Sequence, residues 1–395
     1  MDEKNQIKKI IGNSLLEVAN AIESGQFGDK TRIGVTTLGS EHGIDNLVKG
    51  AELAAKNNPG IQVVLIGPKV DTNLEIAEAN SEEEMYSLME KLLDEKDIHA
   101  CVTHHYNFPI GVSTVGRVVT PGLGKEMLLA TTTGTSSVHR SEAMVKNAVY
   151  GLITAKSLGI ADPTVGILNL DGVRQVERAL KELSSNGYPI RFAESARSDG
   201  GSVMRGNDLL CGTVDVMVTD TLTGNLLMKM FSSFTTGGSY EATGYGYGPG
   251  VGDNYERIIL ILSRASGIPV VANAVTYAAG LVRGGFTAIC KEEFKKAKAS
   301  GLEKILESLT KESKSSKGDE KTVAAPDREP VTGQISGIDI MDLESAVETL
   351  WKAGIYAESG MGCTGPIVLV SETKIQQAVS VLAAAEFVAG GAADC

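Results

Sequence analysis

No run of apolar residues in this chain is long enough to cross a membrane, and the N-terminus, Met1-Asp2-Glu3-Lys4, is charged and has no hydrophobic leader. A cytoplasmic location is the expectation. No two of the five cysteines, at 101, 211, 290, 363 and 395, stand at CxxC or zinc-site spacing, which argues against a disulfide framework and a structural metal. Positive charge is in deficit. The formal net charge is −12, so neither nucleic acid nor an anionic membrane surface is an expected partner. No internal repeat is present. No Gly-x-Gly-x-x-Gly stands at a strand-to-helix turn with an acid behind it, which leaves a nicotinamide dehydrogenase supported by fold class alone.

What the chain does have is size and glycine. At 395 residues and 42% hydrophobic composition it suits two domains or one large α/β unit with a substantial core. Its 45 glycines concentrate after apolar runs, where α/β enzymes keep their ligands. Short β-branched runs at 32–36, 62–66, 99–103, 127–131, 164–170, 215–219 and 269–272 read as strands. Between them, 44–57, 82–93, 141–158 and 173–185 carry helical periodicity. The alternation predicts an α/β fold, a doubly wound and largely parallel sheet covered on both faces. Ligands of such sheets bind outside the carboxyl ends of the strands. Residues 4–27 read as a further helix, with Ile7, Ile10, Ile11, Leu15, Leu16, Val18 and Ile22 near one face that docks on the body.

Composition changes at 311–334, which is charged, rich in Ser and Pro, and poor in large apolar groups. The predicted division is a body over 1–310, a charged linker or mobile insertion over 311–334, and a C-terminal segment over 335–395. That segment resumes periodicity at 342–351 and ends in a helix at 372–388 with Ser371 as N-cap.

The motif with most chemical content is Gly360-Met361-Gly362-Cys363-Thr364-Gly365-Pro366, which runs into the apolar strand 367–370. Glycines leave room for an acyl group at sulfur and free N–H groups for an oxyanion, so Cys363 is a candidate nucleophile and acyl carrier. The bland alternative is a small buried hydrophobe. The other cysteines, Cys395 apart, sit in or near apolar segments and read as structural. A second motif, Thr37-Leu38-Gly39-Ser40-Glu41-His42-Gly43, offers Ser40, a helix N-terminus and His42 to a phosphate, or else is an ordinary turn. A third is Val218-Thr219-Asp220-Thr221-Leu222-Thr223-Gly224-Asn225 with Lys229 one turn on. Here Asp220, Thr223, Gly224, Asn225 and Lys229 are candidate phosphate ligands, against a reading in which Asp220 and Asn225 only cap the loop. The glycine-rich 244–254 stretch reads as a lid that carries Asn254 to substrate, or as an irregular loop. His104 and His105 close the strand at 99–103. At most one of them faces a ligand, buried or surface histidine is the preferred reading, and no metal site is expected.

Several of these motifs resemble, in order and spacing, the phosphate acyltransferases that turn acyl-carrier-protein thioesters into acyl phosphates. The resemblance runs over 32–281. It rests on Gly39-Ser40-Glu41-His42, Val64-Leu65-Ile66-Gly67, Val165-Gly166-Ile167-Leu168-Asn169 and, most specifically, the 218–225 block with Lys229. It implies an isocitrate-dehydrogenase-like α/β fold with phosphate and acyl phosphate in a cleft. Thr36 departs from an aspartate of that family, and Thr103-His104-His105-Tyr106-Asn107 replaces a Gly-Asn-Thr-Gly turn.

With the Cys363 segment added, nearly the whole chain is similar to the alpha subunits of component C of glycine/sarcosine/betaine reductase complexes. That likeness implies two protein partners, a ketoacyl synthase-like beta subunit and selenoprotein A. It also implies an acetyl thioester on Cys363 drawn from a carboxymethyl selenoether, and its release by phosphate as acetyl phosphate. His42, Asn225 and Lys229 would then hold phosphate or oxyanion, with no cofactor. Two alternatives stay open. One is a free-standing acyltransferase using acyl-carrier protein or coenzyme A, in which Cys363 is dispensable. The other is a non-catalytic scaffold for the beta subunit.

Overall fold

The apolar β-branched runs assemble side by side. The computed structural model describes residues 30–196, 201–318, 325–336, 338, 343–362, 365–385, 387 and 388, together with Gly12, Leu15, Leu16, Val18, Ala19 and Ile22. The chain divides into two compact units, Met1–Thr310 and Lys311–Cys395.

In the first unit twelve strands form one sheet. They are β1 (Thr31–Thr36), β2 (Ile61–Gly67), β3 (Glu75–Glu78), β4 (Ala100–Thr103), β5 (Val112–Val119), β6 (Glu126–Thr135), β7 (Thr164–Leu168), β8 (Arg191–Phe192), β9 (Val203–Met204), β10 (Val216–Val218), β11 (Gly248–Val251) and β12 (Ile259–Ile261). Their spatial order is β3-β2-β1-β4-β12-β11-β5-β6-β10-β7-β8, with β9 beside β7. One block, β3 to β12, is parallel throughout, and so is the block from β6 to β8. Between the blocks, β11 pairs antiparallel with β12 and with β5, and β5 pairs antiparallel with β6. Those three reversals turn the second block against the first, so the carboxyl ends of the two blocks lie at opposite strand ends.

The helices of this unit are α1 (Ile44–Asn57), α2 (Glu82–Asp94), α3 (Arg140–Ser157), α4 (Val173–Ser185), α5 (Gly206–Cys211), α6 (Thr221–Ser233), α7 (Ile268–Arg283), α8 (Phe286–Ala299) and α9 (Leu302–Gly318). They cover both faces of the sheet. Leu47, Val145, Val176, Val271 and Phe294 of α1, α3, α4, α7 and α8 belong to one buried cluster. Met85, Met89, Leu209, Met228 and Phe231 of α2, α5 and α6 belong to another. Helix α1 lies so close to α7 that a Cβ on Gly50 would stand 2.6 Å from Val271 Cβ. Helix α2 starts where local chemistry says it should: Ser81 accepts the Glu84 amide at 3.2 Å, and Glu84 accepts the Asn80 amide at 2.9 Å.

Three expectations for the first unit are corrected. The run 269–272 is the first turn of α7, not a strand. Pro269 fits there because its missing N–H has no intrahelical partner to lose, and the helix is buried almost all round, which removes the polar stripe that betrays a helix. The glycine-rich stretch is not a lid, since Gly248–Val251 is the buried strand β11 in mid-sheet. Leu15, Leu16, Val18 and Ile22 are helical, but their side chains are exposed and not docked, and the rest of 1–29 lies outside the described residues.

The second unit holds a three-stranded antiparallel sheet, β13 (Gly333–Ser336), β15 (Gly365–Val370) and β14 (Ala357–Gly362), in that order. Helices α10 (Leu343–Lys352) and α11 (Ile375–Ala384) complete a core of Ile335, Val347, Leu350, Val368, Ala378 and Leu382. Ser371 does not cap a helix. It precedes a 3-10 turn at Glu372–Lys374, and its hydroxyl pairs with Thr373 Oγ1 at 3.0 Å. The stretch 311–334 begins inside α9 and ends inside β13, and 319–324 lies outside the described residues.

Candidate functional site

Strand β10 ends in Asp220, the N-cap of α6. Asp220 Oδ1 accepts the Thr223 amide at 2.8 Å, and Oδ2 accepts the Thr223 hydroxyl at 3.1 Å. Arg140 donates to the same Oδ2 from Nε at 3.1 Å and from Nη2 at 2.6 Å, and its Nη1 reaches Asp171 at 3.3 Å. Burial pushes the Asp220 carboxyl up, but the Thr223 amide and the Arg140 guanidinium outweigh it and hold the group below the usual range. The carboxylate is engaged as cap and ion pair, and what it presents at the strand end is Arg140. Gly224 lets α6 approach the sheet, because a Cβ there would stand 1.8 Å from the Thr131 carbonyl. Asn225 Nδ2 donates to Thr132 O at 3.0 Å.

One turn further along α6, Lys229 Nζ lies over the Tyr247 ring, 5.8 Å from its centroid. Tyr247 Oη donates to Glu241 Oε1 at 2.9 Å, and Ser266 Oγ donates to Glu241 Oε2 at 3.1 Å. Glu241 is buried, and desolvation raises its carboxyl despite these donors and the nearby Lys229 charge. Beyond Ser266 the contacts reach the turn after β1. His42 Nε2 meets the Ala265 carbonyl at 3.2 Å, the imidazole stands edge-on to Tyr240, and Ser40 Oγ accepts the His42 amide at 3.1 Å. A cleft of ≈ 410 Å³ opens here between the N-termini of α1 and α7, lined by His42, Asp45, Asn46, Lys49, Tyr240 and residues 267–269.

The residues singled out in the sequence therefore fall into groups. Ser40 and His42 follow β1, at the carboxyl end of the first block. Asp220 and Thr223 follow β10, at the opposite strand end. Helix α6, about 20 Å long from its thirteen residues, spans the difference. Asn225 and Lys229 lie along it, and Lys229 connects through Tyr247, Glu241 and Ser266 to the neighbour of His42. Asn254 is exposed, with a φ of 59°, in the loop before β12, and so lies at the strand end away from His42. Cys363 lies outside the described residues, as do Thr364 and Cys395. Strands β14 and β15 pair antiparallel down to Gly362↔Gly365. Cys101 and Cys290 are buried, and burial pushes both thiols up, Cys290 to about 12, so neither is a thiolate at neutral pH.

Sequence reasoning missed Arg140, Glu241 and Arg264, whose Nε donates to Gly39 O at 3.0 Å. Arg264 follows β12, a strand of only three residues that no periodicity reveals, and Glu241 is surrounded by residues typical of loops. Among the described residues, no group of three or more His, Cys, Asp or Glu is placed to hold a metal. No helix among them is long and apolar enough to cross a membrane.

Comparison with known proteins follows the same lines. The profile of the family described as "Fatty acid synthesis protein" matches residues 31–369. A phosphate acyltransferase of Thermotoga petrophila is 27% identical over 51% of this chain and 67% of its own. A branched-chain phosphotransacylase from Enterococcus faecalis V583, known from its crystal structure, covers 63% of this chain and 99% of its own at 17% identity, with a TM-score of 0.42. By the family profile and the phosphate acyltransferase match, the class is that of phosphate acyltransferase-like α/β proteins. The glycine/sarcosine/betaine reductase complex component C subunit alpha of Peptoclostridium acidaminophilum is 66% identical over 98% of this chain and 100% of its own. The chain belongs to the family of these component C alpha subunits.

Proposed function

We propose that this chain is the acetyl phosphate-forming subunit of a cytoplasmic reductase complex, carrying the acetyl group as a thioester on Cys363. The observation that supports this most is the extent of the match. Likeness to the component C alpha subunit runs over 98% of the chain, against 51% for the phosphate acyltransferase. The acetyl group derives from a carboxymethyl selenoether on selenoprotein A, received through a ketoacyl synthase-like beta subunit. The C–Se bond breaks, and the selenium closes with a thiol of selenoprotein A to a selenosulfide, which supplies the two electrons that leave a methyl group. A carboxyl oxygen departs as water as the Cys363 thioester forms. A phosphate oxygen then attacks the thioester carbonyl, the C–S bond breaks, and the Cys363 thiolate leaves as acetyl phosphate forms. Thiolate is the better leaving group than an alkoxide, so the step needs positioning and charge stabilisation more than proton transfer. On the body the proposed phosphate and oxyanion ligands form two sets at opposite strand ends. Ser40 and His42 stand at one, and Thr223, Gly224 and Asn225 beside the Asp220-held Arg140 at the other, with Lys229 along α6 between them, so a single phosphate is held by one set and not by both. The charged stretch 311–334 serves as the tether that lets the Cys363 segment serve two partners.

The test is peptide mass spectrometry of the purified chain after incubation with acetyl phosphate, wild type beside Cys363→Ala. A thiol-labile acetyl adduct on the Cys363 peptide is expected, and none in the variant. If the adduct is absent even with the beta subunit present, the carrier role falls. If the Cys363→Ala chain alone makes acyl phosphate from coenzyme A or acyl-carrier-protein thioesters, the chain is a free-standing acyltransferase.

A further inference from the structure

Helix α6 buries one face and leaves the other bare. Gly224, Met228 and Phe231 point inward and are buried. On the outer side Leu222, Leu226 and Met230 are 82%, 57% and 56% exposed. Phe234, which follows the helix with helical φ and ψ of −55° and −45°, is 67% exposed. These large apolar side chains recur every fourth residue, so they form one ridge about 18 Å long. Single exposed hydrophobics are ordinary on a globular protein, but a contiguous patch of them marks an interaction surface.

Charge is missing from the same stretch. Of residues 221–240, Lys229 alone carries one, in a chain that is 22% charged with a net charge of −12. No carboxylate occurs in the stretch, and Lys229 stands on one flank of the ridge, three residues beyond Leu226. That pattern discriminates among occupants. An anionic membrane would meet no basic cluster here and would be repelled by the chain as a whole. A different protein that recognises an acidic chain is steered and held in register by complementary charge, which this face does not offer. A second copy has the opposite need. A two-fold axis brings each group near its own equivalent, so the centre of the contact must be free of like charges.

The ridge also meets the geometrical condition. Rows of residues spaced by four interdigitate with the same row of a second helix at a crossing angle of about −50°, the commonest class of helix contact. Around a two-fold axis between Leu226 and Met230, Leu226 meets the partner's Met230 and Leu222 meets the partner's Phe234. At about 200 Å² for a fully exposed large side chain, the ridge offers roughly 500 Å² per copy. Two copies then bury about 1,000 Å², the size at which a specific interface separates from incidental contact, before any rim is counted.

We propose that the face of α6 formed by Leu222, Leu226, Met230 and Phe234 is a two-fold interface between two copies of this chain. The inference is independent of the acetyl-carrier reading. It also places the Lys229 of each copy at the edge of the contact.

The experiment is sedimentation velocity of the full chain from about 0.1 to 100 μM. Wild type is compared with Leu226→Glu, Met230→Glu and Leu123→Glu, the last a 63% exposed leucine in the turn between β5 and β6, outside the ridge. Every replaced side chain is exposed, so each variant should keep the far-UV circular dichroism of wild type. Wild type should sediment as a dimer. Leu226→Glu and Met230→Glu should each raise the dimer dissociation constant at least about 100-fold, because the two-fold contact places two unpaired carboxylates in an apolar centre. Leu123→Glu should change it by less than about threefold. A wild-type chain that stays monomeric at the highest concentration overturns the inference, as do ridge variants that sediment as wild type does. If the chain is monomeric and Leu226→Glu no longer co-sediments with the beta subunit, the face belongs to that partner and the two-copy interface falls.

Discussion

Asp220 shows how a residue marked by sequence acquires a different task in the fold. Its carboxylate caps α6 and holds Arg140, and replacing it with alanine should cost about 1 kcal/mol of stability at neutral pH, measured by urea unfolding. The pH dependence follows from the lowered folded-state value. The stabilisation is fully present above the unfolded value near 3.9, and it is lost as pH falls through the lower folded value. Asn mimics the protonated form and cannot form the ion pair. The gap in unfolding free energy between wild type and Asp220→Asn should therefore stay constant from pH 7 to about pH 5 and close below about pH 4. The buried cysteines permit a second check. Iodoacetamide on the native chain should leave Cys101 and Cys290 unmodified, because burial both hides the thiols and keeps them protonated. Apolar neighbours such as Ala100 and Val102 made this legible in the sequence. The pairing of Glu241 with Tyr247 and Ser266 left no such trace.

At the scale of elements, α6 matters most, because it links the strand end at Asp220 to the Lys229–Glu241 network. Its seat on β6 depends on Gly224. Gly224→Ala would drive a methyl into the Thr131 carbonyl, and the helix must lift, at a cost of about 3 kcal/mol in unfolding free energy. A second junction ties α3 to α8. Glu293, buried, accepts from Lys156 at 2.5 Å and from Tyr188 at 3.0 Å. Glu293→Ala leaves the half-buried Lys156 without its partner and should destabilise by about 2–3 kcal/mol, less than a fully buried pair would. Helices with one apolar face, α1 and α4, were readable to the residue. The start of α7 was not, because a short apolar run buried on all sides looks alike as strand or helix until its length is seen. Strands β11 and β12 escaped for the opposite reason. They span four and three residues, too few for alternation to register.

At the scale of the whole molecule the proposed mechanism makes a demand on the chain between the two units. If 311–334 tethers the Cys363 segment, deleting about ten residues from it should lower acetyl phosphate formation by the assembled complex while the melting temperature of the body holds. Unchanged turnover would count against the tether.

What the amino-acid order determined by itself is local or cumulative. Periodicity set most helices and parallel strands, glycine and proline marked the turns, and motif spacing carried the family. These signals survive in one dimension because each depends on residues a few positions apart. The tertiary structure alone decided which polar groups meet. Arg264 reaches Gly39 across 225 positions, Arg140 reaches Asp220 across 80, and His104 ends buried against a turn 65 residues earlier in the chain. Desolvation and charge pairing are properties of such meetings. A histidine whose sequence context suggested only a packed or surface side chain is buried where the strand order reverses, with neither ring nitrogen hydrogen-bonded among the described residues.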